Sequence, residues 1–220
     1  MPANDDGRAS AAYVAPFLIY VAMIPMPLRP EWLFPARFVI VLAVLLAVSR
    51  PYLKLKPGHV LASIGLGIAV FLIWIGPDAL FGYRHSWIFE NAVMGKVTSS
   101  LAPNLRNDYF FLAIRVLSSV VIVPIVEELF WRGWLMRWLI NKNFLKVPLG
   151  AYQAGAFWIT AVLFASEHGP YWEVGLLAGI IYNWWVIRTK NLADCMLAHA
   201  VTNGVLAVYV LAAGQWQYWL

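Results

Sequence analysis

The run Val126-Glu127-Glu128-Leu129-Phe130-Trp131-Arg132 places two adjacent carboxylates and an arginine inside a long apolar stretch. A charge at bilayer depth costs about 2.5 to 3.5 kcal/mol on insertion scales, so such groups face a protein interior or a water cavity. On a helix Glu128 and Arg132 stand four apart and share a face, whereas Glu127 is turned about 100° away. Glu128 and Arg132 can therefore pair and leave Glu127 free to act. A buried ion network that only joins helices is the competing reading. Two more clusters follow: Phe164-Ala165-Ser166-Glu167-His168 at the end of one apolar segment, and His199-Ala200-Val201-Thr202-Asn203 inside the last. Phe164 shares a face with His168, and His199 with Asn203. Taken singly, His168 reads as a capped interfacial residue, and His199 and Asn203 as helix-to-helix hydrogen bonders. Glu167 reads as facing water at the boundary. Taken together, they are the groups a hydrolase needs. A carboxylate takes a proton from water, a histidine holds water or donates a proton, and a His–Asn pair stabilises an oxyanion.

The same donors raise the question of metal. Glu127, His168 and His199 could supply three ligands to Zn²⁺ with water as the fourth. The helical His-Glu-x-x-His pattern of zinc proteases is absent, and water activation needs only the residues already named. The reading leans to catalysis with no cofactor, with Zn as the alternative.

The elements that position these groups are membrane helices. The chain is 62% hydrophobic and only 12% charged, about half the charge of a soluble domain. A span needs roughly 20 apolar residues, and stretches of that kind run over 9–28, 32–49, 57–77, 109–140, 147–166 and 195–220, with a shorter one over 174–187. The expected fold is an all-α polytopic transmembrane helix bundle of about seven helices, or eight if Pro124 divides the long run or the connection after the third span hides a re-entrant segment. Residues 78–108 form an aromatic-rich connection expected on the membrane surface. The division is into N-terminal spans (1–108) and a catalytic helical core (109–220), within one integrated membrane domain.

The net charge of +5 does not imply nucleic acid, because the basic residues sit at span ends, where they set topology. Arg50, Lys54 and Lys56, then Arg137, Lys142 and Lys146, then Arg188 and Lys190 mark alternate connections. That alternation puts these loops and the N-terminus in the cytoplasm and the C-terminus outside. No cleavable signal is evident, so a multi-pass cell-membrane protein of a bacterial or archaeal inner membrane is expected. Cys195 stands alone, which excludes an internal disulfide, and reads as a small packing residue. One conflict arises: Glu127 falls at middle depth, whereas His168 ends its span on the outer side. They meet only if one helix begins far outside the bilayer, the other is tilted or sunk, or the orientation is inverted.

Glu-Glu-x-x-x-Arg, Phe-x-x-x-His and His-x-x-x-Asn, in that order on three helices, resemble the CPBP family. That family comprises type II CAAX prenyl proteases and their bacterial relatives, including bacteriocin-processing and immunity proteins. The resemblance covers roughly residues 118–210, and the Pro-Ile-Val-Glu-Glu-Leu-Phe-Trp-Arg neighbourhood is similar to an exosortase-associated bacterial branch. It implies an intramembrane endopeptidase, with Glu127 as the base that activates water and His168 holding that water. It further implies that Glu128 and Arg132 orient the site, that His199 and Asn203 bind the oxyanion, and that Phe164 lies against substrate. The implied partner is a membrane-associated peptide or protein, prenylated or bearing a sorting signal. A non-enzymatic scaffold, immunity or sorting accessory that keeps the motif is the alternative. A proton-relaying transporter is disfavoured, since no repeat is found.

Overall fold

The computed structural model describes residues 3–99 and 101–219, so Leu220, the end of the expected seventh span, lies outside the described residues. Seven helical bodies follow one another: α1 (Ala3–Ala22), α2 (Pro30–Tyr52), α3 (Val60–Phe81), α4 (Tyr109–Ile140), α5 (Ala154–Ser166), α6 (Trp172–Thr189) and α7 (Leu192–Ala213). Among the described residues there is no strand, and four helices (α2, α3, α4 and α7) are long and apolar enough to cross a membrane. Large side chains such as Val39, Leu61, Leu72, Val162 and Val208 point outwards. A soluble monomer rarely exposes apolar surface on that scale, but a bilayer accepts it.

Pro124 does not divide α4. Proline removes one helical hydrogen bond and crowds the preceding turn. The turn over Ser118–Ile122 is wound wider, with π-type bonding, which relieves that crowding, and regular α-helix resumes at Val123–Glu128. A second wide stretch covers Leu129–Leu135. The two adjacent glutamates thus lie between two π-bulges, a feature frequent at functional sites. Asp108 starts α4 by accepting the Phe111 N–H at 3.0 Å, and Asn191 starts α7 by accepting the Ala193 N–H, both ordinary N-caps.

The fifth helix is shorter than the sequence suggests. Residues 147–153 turn and run extended, and α5 begins only at Ala154, capped by Gln153. Thirteen residues make about 20 Å at 1.5 Å each, well under the ~30 Å hydrocarbon core. Glu127 lies as far from the end of α4 at Ile140 as His168 lies from the start of α5, to within about a turn. The depth conflict disappears because α5 stops level with Glu127, sunk in the bundle.

Residues 82–108 do not simply lie on a surface; they fold over one end of the bundle. Val97, Leu101 and Leu105 are buried there with Tyr171, Val174, Val210 and Trp219. Arg84 fastens the connection. It is fully buried, 2.7 Å from Glu173 and 3.4 Å from Asp78, and lies over the Tyr171 ring. Tyr83 donates to the same Glu173, and burial with that bond pushes its phenol up to about 12.

α3 crosses α7 at Gly67. A Cβ there would meet the Ala198 carbonyl and come within 2.7 Å of Val201 Cβ, and small residues at such crossings let membrane helices approach closely. Gly67→Val should therefore destabilise the protein by about 1–3 kcal/mol or more, an overpacking cost. It should lower the melting midpoint in detergent, and an unchanged midpoint would contradict the packing.

Candidate active site

The wide turns of α4 aim Glu128 and Arg132 into the bundle, where neither has accessible surface. Arg132 Nη1 donates to Glu128 Oε1 at 3.0 Å, the pairing the spacing predicts. The other two guanidinium nitrogens are also engaged: Nε donates to Asn183 Oδ1 at 2.8 Å and Nη2 to the Gly179 carbonyl at 3.2 Å. The guanidinium lies 4.4 Å from the Phe164 ring centroid. Glu128 is similarly saturated. His199 Nδ1 is 2.9 Å from Oε1, and the Cys195 thiol is 3.1 Å from Oε2. Cys195 thus contributes a hydrogen bond as well as packing.

Glu127 is arranged differently. Its Oε2 is buried with no hydrogen-bond partner and stands 4.0 Å from His199 Nε2. It faces a cavity of about 180 Å³, whose lining includes Phe164, His168, His199 and Asn203. All three motifs converge on that space. His168 Nδ1 is 2.7 Å from the Phe164 carbonyl. A carbonyl only accepts, so Nδ1 carries the proton and Nε2 presents its lone pair. His199 Nδ1 likewise faces a carboxylate, and its ring stacks on Tyr182. Asn203 Nδ2 donates one hydrogen to the Ser119 carbonyl at 2.8 Å, in the first wide turn of α4. Glu167 is exposed and accepts the Trp131 indole N–H at 3.0 Å.

Several contributors carry no sequence signal of their own. Asn183 and Gly179 on α6 complete the arginine shell, and Asn183 also donates to the Phe157 carbonyl of α5. Gly175 leaves room for the His168 ring, whose atoms would stand 3.1 Å from an added Cβ. Trp74 of α3 meets His168 edge to face at 5.2 Å. Asn183 sits four residues after Gly179 and could have been suspected as a lone amide inside an apolar helix. Nothing in the pattern marks Gly175 or Trp74.

Among the described residues, no three His, Cys, Asp or Glu side chains gather so as to hold a metal ion.

Residues 109–205 match the family model for type II CAAX prenyl endopeptidase Rce1-like proteins. The match covers all three motifs and supports a CPBP, CAAX protease-like family for this part of the chain, a protease family whose setting agrees with the multi-pass helical architecture. No curated protein and no solved structure matches the chain.

Removing one partner of a buried ion pair strands the other, at about 3–5 kcal/mol. Arg132→Met should therefore cost about that much stability, whereas Asn183→Ala, which removes one hydrogen-bond partner, should cost about 1–3 kcal/mol. Equal melting midpoints for the two variants would contradict the network.

Proposed function

We propose that the protein is an intramembrane endopeptidase that hydrolyses a peptide bond of a membrane-associated substrate by water activated at Glu127. The observation that carries this reading is the Glu127 carboxylate, buried and unpartnered at Oε2 on a cavity it shares with His168, His199 and Asn203. A network that only joined helices would need Glu128 and Arg132, which already satisfy one another, and would gain nothing from a second acid beside them.

The steps follow from the partners of each group. Water sits between Glu127 and the Nε2 lone pair of His168. Glu127 takes one proton as the oxygen attacks the scissile carbonyl carbon, a general-base step. The carbonyl oxygen becomes an oxyanion, stabilised by His199 Nε2–H when that ring carries both protons and by the second Asn203 amide hydrogen. Glu128 holds His199 through Nδ1 and so orients it, as the carboxylate does in a Ser-His-Asp triad. Collapse breaks the C–N bond, and the proton on Glu127 passes to the departing amine. Phe164 lines the space where substrate lies against His168. The substrate class is a membrane-associated peptide or protein, CAAX-like, prenylated or carrying a sorting signal.

A comparison of membrane-protein C-termini in cells with wild-type and Glu127→Gln protein should reveal substrates that stay uncut in the variant. On such a substrate Glu127→Gln should lose about 10²–10⁴-fold in kcat while its yield of folded protein stays near wild type. Separate His168→Ala and His199→Ala variants should also lose cleavage. Full turnover by Glu127→Gln would end the proposal, and loss of folded protein in all three variants would favour a scaffold.

A further inference from the structure

At the end of the bundle opposite residues 82–108, a cavity of about 840 Å³ opens between α1, the α2–α3 connection, the end of α4 and the α6–α7 turn. Lys54, Lys56, Arg137 and Lys190 line it, with no acidic side chain among the lining residues. Arg137 is buried and donates to the neutral Gly133 and Val147 carbonyls, each at 2.9 Å. Among the described residues, none of the three lysine ammoniums takes part in an ion pair. Asp194, two residues after the lining Leu192, is fully buried and already occupied. It accepts the Gly58 and His59 N–H groups at 2.8 Å and stands 2.9 Å from His59 Nδ1. Lys190 holds its place at a cost. Among the described residues it is the one non-glycine in a left-handed conformation, at φ 53°, where an L side chain is strained. Glycine or asparagine usually fills that helix-ending position. An apolar groove of about 320 Å³ continues from the cavity, sharing Leu55 and Met196 with it. It runs between Val120, Val121 and Ile125 of α4 and Leu197 and Ala200 of α7.

We propose that this cavity and groove together bind an anionic phospholipid, with its phosphate on Lys54, Lys56 and Lys190 and one acyl chain in the groove. The site is separate from the catalytic cavity and does not depend on the peptidase reading. Lys54 and Lys56 lie between the end of α2 at Tyr52 and the start of α3 at Val60, and Lys190 directly follows α6. The ammoniums therefore stand where spans end and headgroups lie. The groove runs the other way: Ala200 is eight residues beyond the start of α7 at Leu192, about 12 Å along the helix and within the acyl layer. Basic pockets between spans suit phosphate headgroups in this way. A zwitterionic lipid also carries a phosphate, but it brings a further cation in among the lysines. A soluble phosphate shares the headgroup chemistry and makes no use of the groove, so an anionic lipid is the occupant that both features fit.

The test uses the full-length protein in detergent micelles, with dioleoyl phosphatidylglycerol and dioleoyl phosphatidylcholine as probes and native mass spectrometry as the readout. The phosphatidylglycerol should bind about tenfold or more tighter, since each basic side chain near a headgroup is worth about fivefold. Lys190→Gly, which removes an ammonium and suits the left-handed backbone, should lose about fivefold of that preference. Lys54→Gln, Lys56→Gln and Lys190→Gly combined should bring the two lipids to near parity. Lys142→Gln alters a lysine at the same end that rests on the Trp138 ring instead, and should leave the preference intact. Val121→Trp should weaken the lipid by filling the groove. Lys190→Gly keeps the test decisive even if the triple variant fails to fold. Equal binding of the two lipids, or a preference that survives in folded triple variant, overturns the site. So does an equal loss in Lys142→Gln or unchanged binding in Val121→Trp. Displacement of phosphatidylglycerol by millimolar inorganic phosphate also overturns it, and assigns the cavity to a soluble anion.

Discussion

Glu128 and Arg132 form an ion pair with no accessible surface, which is tolerable because each guanidinium nitrogen and both carboxylate oxygens have a hydrogen-bond partner. The arginine reaches Glu128, Asn183 and the Gly179 carbonyl, while Glu128 also holds His199 and the Cys195 thiol. These partners come from α4, α6 and α7, so the pair fixes three helices at once. A buried network satisfied in this way is rigid, and one left half satisfied is costly. Orientation of His199 is a by-product of that constraint. Glu127 stands outside that shell: its Oε2 has no hydrogen-bond partner and faces His199 Nε2 at 4.0 Å.

Depth is the second constraint. A helix that crosses fully would carry His168 past the level of Glu127, as the apolar pattern over 147–166 implies. The polar and turn-forming residues before Ala154, with Gly150 in a left-handed conformation at φ 78°, keep that segment out of helix. α5 is therefore a partial span, with its end buried under residues 82–108. Irregular backbone at such depth is tolerated where protein rather than lipid surrounds it. The Arg84 cluster, which ties Asp78 of α3 to Glu173 of α6, keeps that covering segment in place.

Much of this was legible in the residues. Helix number follows from apolar length, and the Glu128–Arg132 pairing follows from a spacing of four. The convergence of Glu127, His168, His199 and Asn203 on one cavity was suggested by residue type and by the order of the three motifs. What the pattern hides is set by packing between distant segments. Asn183, Gly179 and Gly175 matter because of what stands opposite them, and Arg37, a lone charge near the start of an apolar stretch, is buried between aromatic rings. The start of α5 is hidden because residues 147–153 carry no charge and are mostly apolar, and only Pro148, Gly150 and the Gln153 cap mark the break.

The buried arginines Arg132 and Arg37 are held in different ways. Arg132 is surrounded by acceptors, so its charge is answered within the fold and its removal is a stability event. Arg37 is surrounded by aromatic faces, which hold a guanidinium in place without neutralising it. A cation held like that raises the potential of the adjoining cavity, and low-dielectric walls strengthen the effect. Arg37 is thus placed by packing against rings, whereas Arg132 is placed by hydrogen bonds that tie α4 to α6.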